Sequence, residues 1–181
     1  MTLSRLLLIA LVLVALSVLI SGQTKPRPDV WGPVRVLIGK WEGTGNGKPG
    51  ISSMQREYRL VMNDKFIHVQ NRSVYEPQPK NPKGEIHEDW GMISFDKSRK
   101  QLVLRQFHVE SFVVQYVHTS TSADGKTLVF TSESIENIPA GYRARETYKI
   151  NGPDAFSEVF EIAEPGKDFE VYSEAHFKRK K

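Results

Sequence analysis

The chain has 181 residues, 39% hydrophobic and 25% charged, with a formal charge of +4 and no cysteine, which suits one ordinary domain with one closed core. That composition excludes collagen-like repetition and wholesale disorder, and the missing thiols exclude disulfides, thiolate metal sites and a lipid-modified N-terminal cysteine. Basic residues interleave with acids instead of clustering on one stretch, which argues against a nucleic-acid partner.

Residues 1–22 start with Arg5, continue in an apolar run over 6–20 broken only by Ser17, and end on Ser21 and Gly22. These are the features of a secretory signal peptide, and the run is shorter than the roughly 20 residues of a spanning helix. The expected product is an exported protein, periplasmic or extracellular, cut near Gly22; an uncleaved anchor is the alternative. Residues 23–33 carry Pro26, Pro28 and Pro33 and read as an extended leader. The domain is expected over 34–178, opening with a short helical run at 34–38, and 179–181 form a basic tail.

From Trp41 onward, short β-rich runs alternate with turn signals. Strands are expected at 41–45, 55–61, 66–75, 86–95, 101–109, 112–119, 127–135, 143–150, 155–162 and 169–177. Asn63-Asp64, Asp124-Gly125 and Asn151-Gly152 mark tight hairpins, and a proline-rich loop fills 76–84. Short connections pair consecutive strands antiparallel. A meander of about ten strands with no helix to cover its edges has reason to close, so the expected fold is an all-β, up-and-down antiparallel barrel. In 101–109 one face carries Val103, Arg105, Phe107 and Val109, the other Leu102, Leu104, Gln106 and His108. Both faces mix apolar and polar residues, which suits a barrel with a solvated or ligand-filled interior; an ordinary packed core is the plainer reading.

Gly39-Lys40-Trp41, followed by Gly43 and Gly45, is the most specific local signal. A glycine turns the chain into the first strand, and Trp41 plugs the closed end, with a cation of the basic C-terminus over its ring. Gly39, Trp41 and Gly43 are read as structural. His108, flanked by Arg105, Gln106 and Glu110, is a candidate for an internal polar network. His68, His87 and His118 read as surface or turn-adjacent. Asn71-Arg72-Ser73 is a glycosylation sequon, relevant only in a eukaryotic secretory pathway. No zinc-protease, nucleophile-elbow or phosphate-loop motif occurs, and enzymatic activity is not the leading expectation.

A short helix followed by Gly-x-Trp at the first of many meandering strands resembles the calycin barrels: lipocalins, fatty-acid-binding proteins and nitrobindin-like haem barrels. The stretch Leu37-Ile38-Gly39-Lys40-Trp41-Glu42-Gly43-Thr44-Gly45 is most similar to the opening of the nitrobindin-like, THAP4-like family. Asn81-Pro82-Lys83-Gly84-Glu85, Phe107-His108-Val109-Glu110 and the stretch from Pro165 to Tyr172 resemble bacterial haem-binding-like or fatty-acid-binding-like barrels. The resemblance implies a small apolar or amphipathic ligand in the barrel. By analogy with fatty-acid-binding barrels, Arg105, Arg145 and Tyr148 are candidate ligand contacts; an inward arginine without a ligand would need an acid such as Glu133 or Glu146. A nitrobindin-like haem protein acting on nitrogen oxides or peroxynitrite is the second expectation. The resemblance makes His176, in the last strand, its candidate haem ligand, although strand parity places that ring with Glu170, Tyr172 and Glu174 on the polar side. A structural or interaction barrel with a filled core is the third. Weak contact of the basic tail with an anionic membrane surface completes the partners considered.

Overall fold

A computed structural model describes residues 29–181; the signal segment 1–22 and the leader to residue 28 lie outside the described residues. A 3-10 helix, Gly32–Leu37, leads into ten strands: β1 (Gly39–Gly47), β2 (Gly50–Val61), β3 (Phe66–Tyr75), β4 (Glu85–Asp96), β5 (Gln101–His108), β6 (Val113–Thr121), β7 (Thr127–Glu136), β8 (Arg143–Gly152), β9 (Ala155–Ala163) and β10 (Glu170–Arg179). Each strand pairs antiparallel with the next, and β10 returns to β1 from Trp41 opposite Arg179 to Gly47 opposite Ser173, closing the barrel. Closure gives every strand two hydrogen-bonded neighbours, so no sheet edge is left exposed.

The turns form where the residue types allow left-handed backbone. Met62, Asn63 and Asp64 all have positive φ between β2 and β3, a conformation that Asn and Asp tolerate well. The clearest departure from the expected strands is β2. It begins at Gly50 instead of residue 55, because Lys48-Pro49 makes the hairpin that the glycine-rich run had hidden. The domain also reaches slightly past its expected ends. Trp31, placed in the leader by sequence, is buried and donates its indole N–H to the Asp64 carbonyl at 3.1 Å. Arg179, placed in the tail, is the last residue of β10.

One end of the barrel is filled. Val34 and Leu37 of the 3-10 helix cap a layer of Trp41, Tyr58, Phe130, Phe156 and Phe177, all at most 2% exposed. Trp41 and Phe156 meet edge to face at 4.8 Å, and Phe156 stacks on Phe177 at 4.7 Å. The Trp41 indole N–H donates to the Leu37 carbonyl at 2.7 Å, and the Arg179 guanidinium lies 4.2 Å above the ring. Burying aromatic side chains of this size makes the plug the main apolar store of the fold. The first strand passes close to the last one: a Cβ on Gly43 would meet the His176 main-chain oxygen at 2.2 Å. Gly39 turns the chain into β1 at φ +134, where a side chain would also meet Arg179.

Candidate functional site

Above the aromatic plug lies a layer of buried polar groups, and above that a cavity of about 730 Å³ opens at the other end of the barrel. Strand alternation builds the layer. Arg56 shares the inward face of β2 with Met54 and Tyr58; Glu146 lies between Ala144 and Tyr148 on β8, and Glu158 follows Phe156 on β9.

Arg56 forms a bidentate ion pair with Glu158, its Nη2 donating at 3.3 Å and its Nη1 making the shorter contact, with both side chains at most 10% exposed. Its Nε donates to Asn71 Oδ1 at 3.2 Å, its Nη1 to the Tyr58 hydroxyl at 3.3 Å, and its guanidinium lies 4.7 Å over the Phe177 ring. Burial opposes the charge on Arg56, and Glu158 together with Tyr58 and Tyr148 more than offsets it, so the guanidinium pKa is raised. Removing one partner of such a pair costs about 3–5 kcal/mol, because the other charge stays buried without its counter-ion. Glu146 accepts a hydrogen bond from the Tyr148 hydroxyl. Burial, and then the charge of Glu158, push the Glu146 carboxyl up to about 8, so it is protonated at neutral pH.

The wall of the cavity from β3 to β5 continues the polar network. Asn71 Nδ2 donates to Asp89 Oδ2 at 2.8 Å. His87 places Nε2 3.6 Å from the same carboxylate oxygen and Nδ1 2.7 Å from Glu110. Burial works against charge on His87, but Asp89 and Glu110 outweigh it and raise its pKa to about 9. His108 stacks on Phe112 at 4.4 Å and lies 5.6 Å from the His87 ring; burial lowers its pKa and keeps it neutral. The cavity is also lined by apolar side chains, among them Val114, Ile135, Phe160 and Ile162, with Val114 directly beside Gln106 in the next strand.

No family model matches this chain, and no curated protein matches it. Among solved structures, the chain is similar to the crystal structure of Rv2717c from M. tuberculosis, with a TM-score of 0.63, 18% identity, and coverage of 84% of this chain and 98% of that one. The likeness is one of fold. A redesigned β-barrel, mFAP0, solved bound to DFHBI, also aligns, with a TM-score of 0.44 and 9% identity over 80% of this chain and 100% of that one.

The structure divides the residues singled out from sequence. His108 and Tyr148 point into the barrel, His108 at the cavity and Tyr148 in the buried layer below it. Arg105 and Arg145 do not join them. Arg105 is exposed on the outer face, where Nη1 donates to Ser94 at 3.3 Å. Arg145 lies opposite in parity to Tyr148 and is satisfied outside by Glu161, through two contacts of 2.6 Å, and by the Phe169 ring at 4.3 Å. His176 is exposed on the outside of β10, where a group held in the cavity does not reach it. His87, read as a surface residue, belongs to the cavity wall. The Asn71 sequon is unusable in the folded protein, because that side chain is buried among Arg56, Ser73 and Asp89.

Arg56, Glu158, Asn71 and Asp89 were not foreseen. A parity signal was present in β2, where Arg56 alternates with Met54 and Tyr58. It was lost because the expected strand began at 55.

Proposed function

We propose that this protein is an exported carrier or sensor barrel that holds one small amphipathic molecule in the cavity at its open end. The observation that supports this reading is a cavity open at one end of the barrel and lined by apolar side chains together with a few convergent polar groups. The apolar body of a guest fits against Val114, Ile135 and Phe160. Its polar end meets Arg56, Asn71 and His108, which line the same cavity. Pockets of this kind are concave, mostly apolar and supplied with a few convergent polar groups. Because Arg56 already has a carboxylate partner, the guest is expected to hydrogen-bond to the network without replacing Glu158. The reading retains the kinship with calycin barrels that the Gly39-Lys40-Trp41 opening suggests.

The residues present do not fit haem. The last strand's imidazole, His176, faces solvent, and the inward one, His108, has Asp89 and the charged His87 beside it where a macrocycle needs apolar surface.

Mass spectrometry of an organic extract of the protein purified from an exporting host should show a stoichiometric small molecule. A fluorescent fatty acid should be taken up and displaced by that extract. Ile135→Trp, which puts a larger side chain into the cavity from β7, should weaken uptake at least tenfold with unchanged circular dichroism. A clean extract together with no uptake of the probe removes the carrier reading.

A further inference from the structure

On the polar wall, His87, Asp89 and His108 each offer a ligand atom, and these atoms all lie within 4.8 Å of one another. Two strands bring them together. His87 and Asp89 are two apart on the inward face of β4, and the pairing of Asp89 with His108 in β5 completes the trio. We propose that these three side chains bind a first-row transition dication of the Zn²⁺ class, with its open coordination positions facing the cavity.

Three independent features of the trio support a cation. The first is the state of its buried atoms. Among the described residues, Asp89 Oδ1 and both ring nitrogens of His108 are buried without a hydrogen-bond partner. Asp89 is only 5% exposed. Groups of this kind are expensive to leave unmade, and an imidazole with both nitrogens orphaned is harder to explain than one with a single free nitrogen.

The second is the orientation of His87. Its Nδ1 is held by the Glu110 carboxylate at 2.7 Å, which directs Nε2 toward Asp89 and His108. A carboxylate behind a histidine is the arrangement that fixes a ligating imidazole and raises its basicity. Asp89 is fixed as well: Asn71, itself held by Arg56, donates at 2.8 Å to Oδ2, the oxygen nearest His87 Nε2, and leaves Oδ1 unpaired.

The third is charge. Asp89 and Glu110 place two carboxylates around His87, and their negative charge favours a dication at Nε2. Two imidazoles and a carboxylate suit zinc, iron, copper or nickel better than calcium or magnesium, which prefer all-oxygen sites. With bonds of about 2.0–2.2 Å, cis ligands lie about 3 Å apart, so the trio has to draw together by roughly 1–2 Å, within reach of side-chain rotation. The other grouping at the mouth, Glu85, His87 and Glu110, shares His87 but has two exposed members.

The assignment stands whether or not an organic guest occupies the cavity, and its test uses metal alone. The untagged protein, stripped with chelator, is titrated with Co²⁺ and then Zn²⁺. One equivalent of Co²⁺ with visible d–d absorption is expected, displaced by Zn²⁺ and accompanied by a higher Tm. His108→Phe keeps the stack on Phe112, and Asp89→Asn keeps an oxygen for Asn71; each should weaken binding at least a hundredfold. Glu110→Gln should cost about 10–100-fold through the orientation of His87. Should either ligand variant fail to fold, ring-nitrogen NMR of the wild-type protein decides: Zn²⁺ should shift His87 and His108 and leave His68, His118 and His176 unmoved. No saturable uptake, uptake that persists in His108→Phe or Asp89→Asn, or shifts at the other histidines would overturn the site.

Discussion

Glu146 is an acid kept in its neutral form by its surroundings. Its carboxyl is buried beside the Glu158 charge and holds a proton to about pH 8, against an ordinary value of 4.5. In the unfolded chain the same group loses that proton near 4.5, so between the two values the folded state binds more protons than the unfolded one. Stability contributed by this group is therefore complete below about pH 4.5 and is lost as pH rises through about 8, with a limiting slope of about 1.4 kcal/mol per pH unit. Glu146→Gln keeps an acceptor for the Tyr148 hydroxyl and removes the titration. Chemical denaturation from pH 5 to 9 should show the wild type losing stability relative to Glu146→Gln as pH increases; parallel curves would refute the assignment. At this scale the sequence was only partly legible. Alternation in 101–109 sorted Gln106 and His108 from Arg105 and Phe107. It did not say which set faced inward, because both faces carry polar and apolar members. The structure resolves this against simple hydrophobicity: Trp90 and Phe107 are cross-strand neighbours on the outside, 62% and 52% exposed, while Asp89 and Gln106 are buried. The network that joins Arg56, Asn71, Asp89 and Glu158 allows polar residues to face inward, and it draws its partners from four strands that no local window contains.

At the level of elements, the seam between β1 and β10 is the place where the sequence constrains the fold most tightly. Gly43 lies opposite Phe177 there, and a side chain in its place would press on the His176 carbonyl. Gly43→Ala should therefore cost about 1–3 kcal/mol by forcing the two strands apart, a fall of several degrees in Tm. Gly32→Ala, in the 3-10 helix with no atom within 4 Å of the added carbon, should leave Tm nearly unchanged. Equal melting of the two variants would show that the seam tolerates a methyl group. The strands themselves were readable because β-rich runs and turn residues alternate at short spacing, and the hairpin at Asn63-Asp64 formed where its residue types indicated. The start of β2 was not, because Gly43, Gly45, Gly47 and Gly50 recur across β1 and the hairpin after it, so glycine ceased to mark where the turn lay. Trp31 was hidden for a related reason: prolines on either side of it look like a leader, whereas Pro33 falls in the first turn of the 3-10 helix, a position that proline favours.

For the whole molecule, the division of labour runs along the barrel axis, from an aromatic plug through an ionic layer to a hollow mouth. A packed core and an open cavity are therefore both present, one above the other. Export belongs to this scale as well. The proposed processing near Gly22 predicts that protein recovered from the exporting compartment begins at Gln23; N-terminal sequencing that reads from Met1 would favour the anchored form instead. The closed sheet has one more result. Trp31 bonds to the turn before β3, and Lys180 donates its backbone N–H to Lys40 at 2.8 Å, so the first and the last of the described residues lie beside the plug. A surface, dye or fused partner joined to the C-terminus would thus grip the barrel by its base, leaving the opposite rim turned outward like the opening of a cup held by its foot.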